Sequence, residues 1–313
     1  MQQPQLFRPL QHDHQHATTM PKAVSTSDEC ASDSPKSSTV CEWPLIERMQ
    51  KKFRTMRKRS RTAELKERQY HIAPNETDQI LYDRMCLFPA TFAVIARSVQ
   101  IAAQESDIFV GQTFGEDVAK LDPNEKVDLI RRFSESMIFT KNMFDTVRFF
   151  NEADTKHFAS FTTYFDSSAL EHLYSDALVS REDAIRVTRR GMDINRSTIL
   201  RAMHNLNMTE EEFAALLGLT LWNIRASSSD LLAEIADHKK EVILNELRLF
   251  YERNASQEES TAERIGAIFS LIILIRGRLE DIRTDMQMLY LMNAIDDETM
   301  RQMTLDFAND RTC

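Results

Sequence analysis

The chain has 313 residues and carries only 6 glycines, about 2% where ~7% is usual. So little glycine leaves few hairpin turns, dinucleotide fingerprints or phosphate loops, and points toward helices. Apolar residues make up 42%, which sets wholesale disorder aside, and the net charge of −9 conceals a split. Residues 1–74 hold 13 Lys and Arg against 8 Asp and Glu, for +5, whereas the remainder carries −14. An acidic body disfavours nucleic-acid surfaces, so any polyanion contact falls to the basic part.

No apolar run approaches the ~20 residues that span a bilayer. The best, Ala267 to Ile275, stops at Arg276 and reads as a buried helix. The N-terminus, with His12-Asp13-His14-Gln15, lacks the layout of a secretory signal. Cys30, Cys41, Cys86 and Cys313 show no CxxC spacing and read as reduced thiols of an intracellular protein.

In chain order, residues 1–43 are rich in Gln, His, Ser, Thr and Pro and are expected to be a disordered tail. Ser34-Pro35-Lys36 is either a proline-directed phosphorylation site or plain solvated tail. His12 to His16 offers only adventitious metal binding, because nothing fixes its geometry. Residues 44–70 carry ten basic residues against Glu47, Glu64 and Glu67. Lys51, Lys52, Arg57, Lys58, Arg59 and Arg61 read as a nuclear localisation cluster. The alternative is a solvated helix with i,i+4 pairs such as Glu64 to Arg68.

From about residue 75 the signals are helical. Asn75-Glu76-Thr77-Asp78 offers a cap, and apolar residues from Ile80 to Ala103 recur at helical spacing, with a bend expected near Pro89. Asp122-Pro123-Asn124-Glu125 supplies a capping Asp, a first-turn Pro and an acid. The stretch behind it, to Phe150, is apolar nearly all round, the mark of a central helix. Phe158 to Phe165 is β-leaning and predicts a short hairpin. Further helices are predicted over 178–206, 209–223, 230–253 and 258–293, with Thr209 to Glu212 as a capping box.

Several of these stretches, in order, resemble the ligand-binding domain of nuclear receptors, especially the nematode-type branch. Leu121-Asp122-Pro123-Asn124-Glu125-Lys126-Val127-Asp128-Leu129-Ile130 is similar to the family signature, with Glu125 and Lys126 in place of its Asp-Gln. Thr163-Tyr164-Phe165-Asp166 and Leu170 to Asp176 resemble its hairpin and following helix. Glu212-Phe213-Ala214-Ala215-Leu216-Leu217 through Trp222-Asn223 is similar to its eighth-helix motif. Ile243 to Leu247, Ala262 to Gly266 and Met292 to Asp297 follow at family distance.

The resemblance implies an all-α, three-layer antiparallel helical sandwich with one short β-hairpin over 75–313, preceded by a basic hinge-like segment, 44–74. It implies a nuclear transcriptional regulator without enzymatic activity or resident cofactor. Its ligand would be lipophilic and its partners other receptors or coregulators. Met137, Met143, Phe144 and Arg148 are then the candidate ligand contacts, since thioethers and rings wall adaptable cavities and Arg148 could anchor an acidic headgroup. The same side chains also serve as ordinary core. Lys126, Val127, Ile130 and Arg131 correspond to the wall of the coregulator groove.

The family's two zinc modules need four cysteine ligands each, and this chain holds 4 cysteines in all. Direct zinc-finger contact with DNA is therefore not expected from it, nor is membrane insertion. The last helix is expected to be a poor coactivator lid, because Met300-Arg301-Gln302-Met303-Thr304-Leu305 lacks the family's acid. A pocketless adaptor that represses or sequesters other receptors is the alternative reading.

Enzymatic signals are weak. Asp296-Asp297-Glu298 is similar to acidic metal motifs of helical isoprenoid enzymes but lacks the second aspartate three residues on, and acids are favoured at helix starts anyway. His238 and Glu241 share a helix face, which is too few ligands for a metal.

Overall fold

The computed structural model describes residues 43–67, 87–175, 181–224, 228–254 and 260–303. The expected tail before Trp43 and the cap at Asn75 to Asp78 lie outside these residues.

The first helix, α1 (Pro44–Glu67), has proline in its first turn and no glycine inside it. Leu45, Ile46, Met49, Phe53, Met56 and Leu65 recur every three or four residues and are all buried. They seat the helix against α2 (Phe92–Val118), α6 (Glu210–Leu221) and α7 (Asp230–Asn254). Its first turn is held from a distance: Leu45 N and Ile46 N donate to Glu246 Oε1 and Oε2 at 3.0 and 2.8 Å. This corrects the expected boundary at residue 75. The basic segment over 44–67 is a core helix rather than a hinge, because its apolar stripe is buried against three other helices.

The bend expected near Pro89 is also corrected. Pro89 lies in strand β1 (Phe88–Pro89), and α2 starts afterwards at its own cap, Thr91. On either side of Pro89, Phe88 N donates to Thr162 O, just before β3 (Thr163–Asp166), and Ala90 N to Tyr164 O within it, at 2.9 Å each, so the missing proline N–H leaves no gap in the ladder. β3 pairs antiparallel with β2 (Lys156–Phe158), as the hairpin prediction requires, and the sheet order is β1-β3-β2.

Helix α3 (Pro123–Phe149) starts as predicted, with Asp122 accepting from Asn124 N at 2.8 Å. Its second half is buried almost all round, from Phe139 to Thr146. The predicted 178–206 helix is seen over 181–206 as α4 (Arg181–Asn195), a π-helical turn (Arg196–Leu200) and α5 (Arg201–Leu206). The long α8 (Thr261–Leu291) and short α9 (Asp297–Met303) complete the order. Helices α3, α6 and α7 form the middle layer, α1 and α2 lie on one side, and α4 and α8 on the other. The fold is helical, in three layers, with one small sheet.

The capping box of α6 is present and does more than cap. Glu212 Oε2 accepts from Thr209 N at 2.8 Å, and Thr209 Oγ1 accepts from Glu212 N at 3.2 Å. Its other oxygen, Oε1, accepts from Tyr251 Oη of α7 at 2.7 Å and Arg264 Nε of α8 at 2.8 Å. The carboxylate is fully buried; burial pushes the Tyr251 hydroxyl pKa up, and the negative charge of Glu212 adds to it. Removing one partner of a buried pair strands the other's charge. Glu212→Ala should therefore lower the unfolding free energy in urea by about 3–5 kcal/mol.

Candidate functional site

Three of the four candidate ligand contacts are buried core side chains. Met137, Met143 and Phe144 are buried in the larger of two apolar clusters. Phe144 stacks on Phe213 of α6 with centroids 4.1 Å apart, and Phe53 of α1 meets Phe213 edge-on at 5.1 Å. Arg148 lies at the edge of that cluster. It pairs with Glu210, which Arg54 also grips, and its guanidinium lies over Phe144 and Phe149. These side chains are packed core and a surface ion pair. Phe144→Ala should destabilise the fold by about 3–5 kcal/mol in chemical denaturation, the loss expected of a buried ring rather than of a cavity wall.

The second apolar cluster fills the space between the start of α2, the sheet, α4 and the end of α8. Ile95, Leu173, Tyr174, Met192, Met286 and Leu289 are among its members. Tyr174 is held upright by donating to Ala184 O at 3.1 Å, and burial pushes its hydroxyl pKa up to about 12. Helix α9 lies against α2, and Met300 and Met303 pack onto this cluster. The short last helix thus closes over side chains.

On the outer surface, Val127 is 47% exposed and Arg131 is exposed, pairing locally with Asp128 at 2.9 Å. Lys126 and Ile130 are half-buried, with Ile130 resting on the larger cluster. The four share the first turns of α3.

A family model, the ligand-binding domain of nuclear hormone receptor, matches residues 116–292. That span runs from the end of α2 through all of α8 and covers more than half of the chain. The chain belongs to the nuclear hormone receptor ligand-binding domain family. No curated protein gives a significant match. Members of this family generally act in the nucleus and in transcription, and generally have no enzymatic activity. No described helix of this receptor domain is long and apolar enough to cross a membrane. Among the described residues, no group of His, Cys, Asp and Glu is placed to hold a metal.

Within the receptor domain the six basic residues of the expected localisation cluster divide by helix face. Arg57 pairs with Asp145 of α3, and Arg61 is buried and donates to Phe161 O at 3.2 Å. Arg59 pairs with Glu105 of α2. Lys51, Lys52 and Lys58 lie on the outer side without an ion pair among the described residues. The helix therefore divides the cluster: Arg61 is buried and Arg57 is largely covered, while the three lysines face outward.

Two polar features of this receptor domain went unread in the sequence. One is the cluster beneath the hairpin, where buried Lys141 Nζ reaches Asp145 Oδ2 at 3.2 Å and lies over Phe161. Burial, with Arg57 nearby, pulls its pKa well below the ordinary lysine range. Glu64 of α1 closes the same region by accepting from Thr162 Oγ1 at 2.6 Å and Ser160 Oγ at 2.9 Å. The helical spacing of Arg57, Arg61 and Glu64, all on the apolar side of α1, was the available signal.

The other is His157 in β2. Burial first, and Arg196 second, push its pKa down from 6.5 to about 4. The unfolded chain takes up that proton near pH 6.5, while the folded protein resists it until about pH 4. The stabilisation is therefore complete above pH 6.5 and is lost as pH falls through that window. Wild type should lose on the order of 3 kcal/mol more than His157→Gln between pH 7 and pH 4, measured by urea unfolding at each pH.

Proposed function

We propose that this receptor-family domain is a transcriptional regulator that works through protein contacts rather than through an open lipophilic cavity. The observation that carries this is the second apolar cluster. Packed side chains occupy the space between α2, the sheet, α4 and α8, and α9 closes over them through Met300 and Met303. A lipophilic ligand there would have to displace Tyr174, Leu173 and Ile95 from close packing. The reading favoured is the adaptor that represses or sequesters other receptors.

Two surfaces support such a role. On α8, Ile273 is 72% exposed and Phe269 is also exposed. Gly266 and Gly277 flank them with open space where a side chain would stand, so a partner's helix can approach closely. The resemblance assigns this helix to receptor dimers, and other receptors are the proposed partners. Lys126, Val127, Ile130 and Arg131 form the proposed coregulator wall. The acid missing from Met300 to Leu305 argues against activation through it. Lys51, Lys52 and Lys58 are the cations proposed to serve nuclear entry.

Two measurements test this. The full chain fused to a heterologous DNA-binding domain should leave a reporter flat or lowered, and native mass spectrometry should find no co-purifying lipid. A bound lipid, or ligand-dependent capture of an LxxLL peptide, overturns the proposal. Ile273→Arg should abolish dimerisation in sedimentation velocity and change unfolding free energy by no more than about 0.5 kcal/mol, as exposed positions do.

A further inference from the structure

Helix α9 has seven residues, and none of them is buried. So short a helix does not keep its winding alone in water, where isolated helices under ~12–15 residues are marginal. It depends on its seat. Met300 and Met303, one turn apart on one face, pack onto the second apolar cluster, where Ile95, Met286 and Leu289 lie. At its start Tyr290 Oη donates to Asp297 Oδ1 at 2.6 Å, and Thr299 N donates to Asp296 Oδ1 at 2.7 Å. Both bonds lie at the exposed surface, where water competes for donor and acceptor.

The methionines are unevenly shielded. Among the described residues, Met288, Met292, Met300 and Met303 are half-buried, and every other methionine is buried. All four gather at the end of α8 and on α9, and the two on α9 are the ones that seat it. A thioether in such a place is both open to small solutes and part of the packing.

Oxidation to the sulfoxide puts a polar oxygen on this flexible apolar side chain and disrupts packed methionine contacts. Returning that oxygen to the cluster is unfavourable, because the side chains of Ile95, Met286 and Leu289 offer it no hydrogen-bond donor. Ala294 and Ile295, just before the helix, are buried and hold the chain there. Loss of the two methionine contacts therefore frees α9 without freeing α8.

We propose that Met300 and Met303 form an oxidation site through which a peroxide releases α9 from the second apolar cluster. At each sulfur, a lone pair attacks one peroxide oxygen and the O–O bond breaks. The sulfur is oxidised to the sulfoxide, and the other oxygen leaves with the peroxide's hydrogens as water. Methionine sulfoxide reductases, one for each epimer, restore the thioether with a thiol reductant, releasing water and a disulfide, and α9 reseats. Release depends on the seat of α9 alone, not on the sign of the transcriptional effect.

The test treats the full chain with hydrogen peroxide, quenches with catalase and returns oxidised cysteines with dithiothreitol. Peptide mass mapping locates the sulfoxides, and limited trypsin digestion follows α9 through the bond after Arg301. The peptide beginning at Gln302 should appear about tenfold faster after treatment, because proteolysis follows the population of the open form. Cleavage after Arg278, which is buried in α8, should not change. Met300→Leu combined with Met303→Leu, swaps that conserve volume, should abolish the acceleration. Met288→Leu combined with Met292→Leu should leave it intact, and the two reductases with dithiothreitol should restore the slow rate in wild type. If the α9 double variant is cut fast before any peroxide, the reductase arm decides. Unmodified Met300 and Met303, sulfoxides without faster cleavage, equal acceleration in the α9 double variant, a matching rise after Arg278, or no recovery with the reductases would each overturn the proposal.

Discussion

The three layers depend on one buried carboxylate. Glu212 closes the N-terminus of α6 and in the same position accepts from Tyr251 on α7 and Arg264 on α8. Three polar groups, on two helices and the turn before α6, are satisfied by two oxygens that have no contact with water. A charge so placed is tolerable only in one arrangement of its donors, so it sets how the helices sit and leaves apolar packing to supply most of the favourable free energy. Glu246 repeats the device on a smaller scale, since its two oxygens take the first amides of α1.

Much of this was legible in the chain. The cap at Asp122, the box at Thr209, the hairpin and the apolar surround of α3 were all written in local chemistry, and each is found where it was expected. Two elements were not. In α1 the cations dominate composition and mask Leu45, Met49, Phe53 and Met56, although these keep helical spacing. β1 is only two residues long and exists because β3 offers it amide and carbonyl partners more than seventy positions away.

The candidate site shows where such reading stops. Met137, Met143 and Phe144 are the side chains that would wall a cavity and equally those that fill a core; only Phe213, stacked against Phe144, decides between the two. His157 and Arg196 carried no signal in sequence because they are thirty-nine residues apart and meet through a π-helical turn that no local pattern announces. The basic run divided for a similar reason. A helix turns a string of cations into an outer and an inner set, and the inner set is held by Asp145 and the carbonyl of Phe161.

The placement of α1 bears on how this protein can be handled. Leu45, Ile46, Met49, Phe53 and Met56 lie against α2, α6 and α7. A recombinant fragment begun at residue 75, after the whole basic stretch, lacks that helix and bares a greasy trough across three of its neighbours. Such a fragment is a candidate for clumping in the test tube, whatever its activity. Cloning boundaries for this domain belong upstream of Trp43, and a solubility tag is better attached at that end than spliced into the lysine-rich run.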